Sequence, residues 1–488
     1  MKSSKLYHLK SLLSDSLIYG LSGIVTSFIG VFLIPIYTKV FDPADYGVIA
    51  LLGTTGNILF LLTIFNLDNA AAVWFWSNTE DRERRATFSS WFWFLFCISV
   101  VVALAFIILP GFWSQLILRT THYEYLIRLF GVTVLFGSFQ KIVNIWYRMK
   151  RMPLHAVGFA LGLSLITIGL NILFIIHLKW GLKGTYSAQS ISALLGFVGC
   201  VVVLRKNLSL SFFSMSRLKE MLVFSLPLLP SSLMFWLMNS ASSYFLSFYS
   251  TKSEIGLYMM GSMIAGVFNL VIWAFMQAWG PFAMSISKSE EAKSIYSNIL
   301  ELYFVIGLLA VFFIAFFAED ILRVFTNERY LGSKHVIFIL SASILFQGIP
   351  QILSIANAIT RNNVSYAQAV IVGSLLTVIL FNIFIPWFGK EGAAISVLLG
   401  NIVVPIYHGV KVQRSYPIPY NFKRMVRALG IIAMFLVIGF WIVNLTWSIP
   451  VLVIIKLTLV MACASSLVFF YRKTLGGLVA NKTRLGTP

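Results

Sequence analysis

Charged residues are scarce in this chain. Asp, Glu, Lys and Arg together make 11% of its 488 residues, where a soluble protein carries about 25%. Long polar stretches are missing too. No connection between apolar runs exceeds roughly 15–20 residues, which excludes a soluble domain. Cysteine is nearly absent. Cys97, Cys200 and Cys463 each lie inside an apolar run, so there is no disulfide framework and no metal-ligand spacing. Acids are outnumbered, 17 Asp and Glu against 37 Lys and Arg, for a net charge of +20. No G-x-x-x-x-G-K-[ST] run is present, so no nucleotide site of that kind is expected.

What is there is apolar surface. The chain is 59% hydrophobic, with a mean hydropathy of +0.87. That composition defines an all-α polytopic membrane protein whose solvent is the bilayer. Apolar windows predict about 14 transmembrane helices, near 13–37, 46–74, 88–110, 124–145, 155–177, 184–204, 221–248, 256–280, 296–318, 335–358, 365–387, 391–410, 425–444 and 450–471. Lys2, Lys5 and Lys10 precede the first run, with no small-residue cleavage site after it. That run reads as a retained helix and not as a signal peptide.

The basic excess is a topology signal and not a nucleic-acid footprint. With these helices, 25 of the 37 Lys and Arg fall on one side, together with both termini, and 9 fall on the other. The remaining three, Arg128, Lys141 and Lys456, lie within helices. The positive-inside bias then places both termini in the cytoplasm, and it supports an even helix count.

The chain also repeats itself. Phe32 to Val48 closes one apolar run, passes Tyr37 and Lys39, turns through Asp42-Pro43-Ala44-Asp45 and restarts at Tyr46-Gly47. The order of residue types returns in Tyr249-Ser250-Thr251-Lys252-Ser253-Glu254-Ile255-Gly256, and Gly47 and Gly256 are 209 positions apart. Arg151 and Arg361, Asn171 and Asn382, and the turns Gly181-Leu182-Lys183-Gly184 and Gly389-Lys390-Glu391-Gly392 recur at offsets of 208 to 211. A repeat of six helices keeps its orientation, so two six-helix lobes related by a parallel repeat are expected. The expected domains are 1–207, 208–415, and a C-terminal helix pair with its tail at 416–488.

Ile34-Pro35-Ile36-Tyr37-Thr38 followed by Asp45-Tyr46-Gly47 resembles the polysaccharide-export flippases, the Wzx-type oligosaccharide and O-antigen translocases. Gln277-Ala278-Trp279-Gly280-Pro281-Phe282 is similar to the same family's pattern at the end of the eighth helix. These belong to the multidrug/oligosaccharidyl-lipid/polysaccharide (MOP) exporter superfamily, with the multidrug (MATE-type) extruders and the lipid II flippases. The resemblance implies a MATE-like fold in a bacterial inner membrane. It implies a flippase that moves an undecaprenyl-pyrophosphate-linked oligosaccharide to the outer leaflet by alternating access, and not an enzyme. The product would serve O-antigen, exopolysaccharide or capsule synthesis. The implied partners are the lipid-linked oligosaccharide, membrane lipids and a polysaccharide polymerase. No cofactor is implied beyond coupling to an H⁺ or Na⁺ gradient. The alternative is an Na⁺- or H⁺-coupled multidrug exporter. That class calls for several deep acids, and Asp68 is the deepest acid here.

The candidate substrate-binding residues are Arg128, Lys141, Asp68, Glu124, Lys456, Asn171, Gln277 and Asn382. An acid in a membrane helix costs about 2.5–3.5 kcal/mol on insertion scales, so Asp68 faces either a cavity or the cytoplasmic surface. Glu124 and Arg128 are spaced to pair on one helix face. The other reading has Arg128 meeting the pyrophosphate, whose oxygens a guanidinium binds in pairs. Lys141 either snorkels to the cytoplasmic interface or grips the incoming head group. Lys456 either snorkels outward or lines a groove at the phosphate end of the lipid tail. Asn171, Gln277 and Asn382 are either interhelical hydrogen-bonding groups or sugar ligands. Pro35 either bends the first helix or ends it.

Overall fold

The first well-defined helix begins at a closed capping box. Asp45 N–H donates to Asp42 Oδ1 (3.0 Å) and Asp42 N–H donates to Asp45 Oδ2 (3.3 Å), and Pro43 takes the first helical position. Two of the orphan amides of a helix start are satisfied locally this way, and Pro has none to satisfy. The computed structural model describes residues 34–77, 80–360, 362–443 and 449–485. Among them every regular element is helical.

Residue contacts divide the chain into two units, Met1–Met259 and Met260–Pro488. In the first unit follow α1 (Pro43–Ile64), α2 (Leu67–Ser77), α3 (Asp81–Ile108), α4 (Pro110–Leu118), α5 (Glu124–Gly137), α6 (Phe139–Met149), α7 (Pro153–Asn171), α8 (Gly181–Leu204), α9 (Met215–Ser225), α10 (Leu229–Ser240) and α11 (Ser242–Tyr249). The long helix α12 (Lys252–Ser285) begins in this unit and ends in the second. The second unit continues with α13 (Ala292–Phe325), α14 (Lys334–Leu353), α15 (Ile355–Thr360), α16 (Val364–Ser415), α17 (Phe422–Val443) and α18 (Ile449–Leu485). The division falls one spanning segment later than the repeat boundary at 207/208. The reason is that α9, α10 and α11 pack on α1, α2 and α3.

Twelve segments among the described residues are long and apolar enough to cross a membrane. One of them, α16, is two helices meeting at Gly389 (φ 53°, ψ −128°), and it covers the two runs expected at 365–387 and 391–410. The helix expected at 13–37 lies outside the described residues except for the turns at its end. There Thr38 Oγ1 donates to the Ile34 carbonyl at 2.9 Å. Apolar side chains stand on the outside, among them Trp387 (82% exposed), Val437 (72%) and Met461 (67%). Such a surface is a liability in water and is solvated in lipid.

Each unit has its own core. In the first, Phe88, Trp91, Phe139, Ile142 and Cys200 pack together. The Phe88 ring meets Trp146 edge-on at 4.9 Å and Phe139 meets Phe197 at 4.8 Å. Close ring packing of this kind replaces the hydrophobic drive that lipid does not supply between helices. In the second unit, Phe304, Phe312, Phe316 and Leu345 pack with Ile432 and Leu467 of α17 and α18. Polar ties hold those two helices to α13. Lys456 Nζ lies 2.5 Å from Asp320 Oδ2, Arg424 pairs with the buried Glu301 at 3.5 Å, and Ser297 Oγ donates to the Pro419 carbonyl at 2.8 Å.

Candidate functional site

Four of the expected helices are not continuous. The run expected at 335–358 breaks at Ser354 in the second unit, and the other three break in the first. The run expected at 46–74 is broken between α1 and α2 by Phe65 (φ 53°) and Asn66 (φ 55°). Both are left-handed, a conformation that Asn tolerates and Phe adopts only when its surroundings hold it there. The run expected at 124–145 breaks at Ser138, between α5 and α6. The run expected at 221–248 breaks at Leu226-Pro227-Leu228, a short 3-10 turn, and again at Ala241. Pro227 and Pro230 remove two backbone donors there and kink the segment.

The breaks in the first unit converge. Asn66 Nδ2 donates to Ser232 Oγ at 3.2 Å, and Ser225 Oγ donates to the Asn66 carbonyl at 3.1 Å. Both partners flank the break between α9 and α10. On the other side Thr63 Oγ1 and Ser138 Oγ are 3.3 Å apart, which joins the α1–α2 break to the α5–α6 break. Irregular backbone at membrane depth survives only where protein or a wet cavity satisfies it, and serines and one asparagine do that here. Broken membrane helices that meet in this way expose chain ends and polar groups to a ligand without exposing them to lipid.

One ion pair flanks the cluster. Lys141, in the first turn of α6, lies 3.2 Å from Asp68 in the first turn of α2. The Asp68 side chain is 16% exposed and that of Lys141 is 48% exposed, so the pair is open on the lysine side. The sequence places both residues among the candidates but does not pair them. Four hydroxyls, a carboxamide and an open ammonium–carboxylate pair match sugar hydroxyls and phosphate oxygens chemically.

The other candidates lie apart from it. Arg128 is exposed on α5, and no ion pair joins it to Glu124, contrary to the i,i+4 expectation. The Glu124 carboxylate turns instead to the α4 start, beside Gly111. Asn171 closes α7, where Nδ2 donates to the Thr167 carbonyl at 2.8 Å and the π-helical turn Ile172–His177 follows. Gln277 is exposed on α12. Asn382 is exposed on α16 and donates to the Val378 carbonyl at 2.9 Å. Lys456 is 4% exposed and held by Asp320. Sequence reasoning missed Asn66, Ser225 and Ser232. The signals were Asn66 beside Asp68 and Asn69, and the Pro227/Pro230 pair. Among the described residues no group of three His, Cys, Asp or Glu could hold a metal ion.

Solved structures share this fold. The chain is similar to a structure of the lipid II flippase MurJ in an inward closed conformation, with a TM-score of 0.74 and 15% identity over 94% of this chain and 100% of that one. It is similar to an inward-facing multidrug resistance MATE family transporter of the MOP superfamily, with a TM-score of 0.66 and 16% identity over 85% of this chain and 96% of that one. An outward-facing structure of a transporter of that description gives 0.52 and 16% over 83% and 96%. The fold is the one these transporter structures share. No curated protein matches the sequence. Residues 12–286 match the family model described as polysaccharide biosynthesis protein. More than half of the chain is covered, and the chain belongs to that family.

Proposed function

We propose that this protein is a flippase that carries a lipid-linked oligosaccharide across a bacterial inner membrane for surface polysaccharide synthesis. The observation that carries the reading is membership of a polysaccharide biosynthesis family by a chain built almost wholly of membrane-spanning helices. Such a chain is suited to moving an intermediate of that synthesis across the membrane. In this reading the carrier is undecaprenyl pyrophosphate, both termini are cytoplasmic, and a membrane polymerase takes the product. The lobes are the repeats 1–207 and 208–415, with the C-terminal pair beside them.

The substrate brings about two negative charges into the membrane, which is costly without cations to meet them. Lys141 meets the pyrophosphate by exchanging Asp68 for it, and the Asn66–Ser232 group meets sugar hydroxyls. Among the described residues Arg128 has no ion-pair partner to displace, and a guanidinium binds phosphate oxygens in pairs. Glu124, Asn171, Gln277, Asn382 and Lys456 are the remaining candidates of this reading. The test is complementation of an export-deficient strain. Arg128→Ala should abolish export at normal protein level, and Arg128→Lys should recover part of it. Full export by Arg128→Ala removes the arginine from the site.

The likeness of fold to a MATE family transporter favours a second reading, an ion-coupled multidrug exporter. Drug susceptibility of a deletion strain separates the two. A strain that loses surface polysaccharide and keeps its drug tolerance supports the flippase.

A further inference from the structure

The repeated motif meets itself. A Cβ on Gly47 would overlap the carbonyl of Lys252, and a Cβ on Gly256 would overlap the carbonyl of Pro43. Gly47 and Gly256 are 209 positions apart, and so are Pro43 and Lys252. Each contact is therefore the image of the other under the repeat, as at an isologous two-fold interface. The helix starts correspond as well. Asp42 and Asp45 cap α1. At the same offset, Thr251 Oγ1 accepts from Glu254 N–H at 3.3 Å at the start of α12.

We propose that Gly47 and Gly256 form a two-fold backbone clasp that shuts the outward-directed end of the first unit and parts in every transport cycle. The proposal rests on the transporter reading and on the orientation given above. The three atoms nearest each glycine's Cβ position are backbone atoms, so two glycines are required and any side chain holds the contact open. The contact also brings two helix N-termini together, each with about half a positive charge. Asp42, Asp45 and Glu254 lie in those first turns and offset the repulsion. The clasp is thus closed by shape and acids together, and opening it breaks no interlocked side chains at the glycines. Around it, Thr55 Oγ1 lies 2.6 Å from Tyr244 Oη, Arg119 stacks on Phe248 at 4.3 Å, and Lys252 Nζ lies 4.8 Å from the Tyr123 ring centre. Burial first, and then the charges of Asp45 and Asp42, push the Tyr123 phenol up from its usual value.

The experiment uses full-length protein with its three cysteines replaced and Thr55→Cys added. Thr55 is buried on α1, two turns beyond Gly47. A membrane-impermeant thiol reagent is applied to intact cells. Labelling should be slow in the parent and several-fold faster with Gly47→Ala or Gly256→Ala. Gly53→Ala and Gly266→Ala place a methyl in open space on the same two helices, and they should leave the rate unchanged. An unchanged rate in both clasp variants, or an equal rise in the controls, overturns the proposal. Should the clasp variants not reach the membrane, Ala44→Cys with Ser253→Cys keeps both glycines. Joining that pair with a short bifunctional thiol reagent should stop export, and a cleavable linker should restore it on reduction. Export that survives the cross-link overturns the proposal. Labelling that changes as expected in a protein without export activity refutes the transport reading and leaves the clasp standing.

Discussion

At the scale of single residues the informative charges are those whose partners are far away in sequence. An embedded cation reads as snorkelling or as binding until its partner is seen. For Lys141 that partner is Asp68, and for Lys456 it is Asp320. Lys456 is almost fully buried and serves to tie α18 to α13. The Lys141–Asp68 pair is open on one side, so it contributes little to stability on its own and is available for exchange. Lys141→Met should therefore cut export more than tenfold and leave Asp68 uncompensated. Asp68→Asn combined with Lys141→Met relieves that half-buried, unpaired charge, so thermal stability in detergent should recover while export does not. Recovery of export in the double variant would assign the pair a structural role alone. The pairing was not legible in the sequence because nothing local specifies it. Asn66 was illegible for the same reason, since its partners Ser225 and Ser232 lie 159 and 166 residues away.

At the scale of elements, legibility follows the origin of each boundary. The start of α1 was visible because Asp42, Pro43 and Asp45 make a cap among themselves. The junction inside α16 was visible as Gly-Lys-Glu-Gly, and the structure shows why glycine stands there. A residue at φ 53° and ψ −128° is in a region that essentially only glycine visits. Gly389→Ala should cost about 1–3 kcal/mol, read as a lower midpoint of thermal aggregation in detergent. Gly53→Ala, in open space within a helix, should be neutral or slightly stabilising by the same measure. Equal midpoints for the two would mean that the junction at Gly389 is not strained. By contrast, the break at Phe65-Asn66 carries neither glycine nor proline, and periodicity alone runs a helix straight through it. Tertiary hydrogen bonds decide that break, and no window along the chain contains them.

At the scale of the molecule the strongest sequence signals were global ones: charge scarcity, the asymmetry of Lys and Arg, and the 209-residue offset. Their topological content is testable at α12. That helix has 34 residues, about 51 Å at 1.5 Å per residue, against a hydrocarbon core about 30 Å thick. Its two ends therefore emerge on opposite faces even with substantial tilt. Lys252 at its start belongs to the basic-poor set of loops, whereas Lys288 and Lys293 beyond its end belong to the basic-rich set. A reporter fused at Ser253 should be active outside the cytoplasm and one at Ser289 inside it. The same orientation places the Gly47–Gly256 contact on the outer face, since Gly256 lies one turn into α12. Reporters on the same side would remove α12 as a spanning helix and invert the loop assignment of everything after it. Reporters on opposite sides but exchanged would keep every helix and turn the clasp to the cytoplasmic face, where labelling of Thr55→Cys would have to be repeated in inverted membranes.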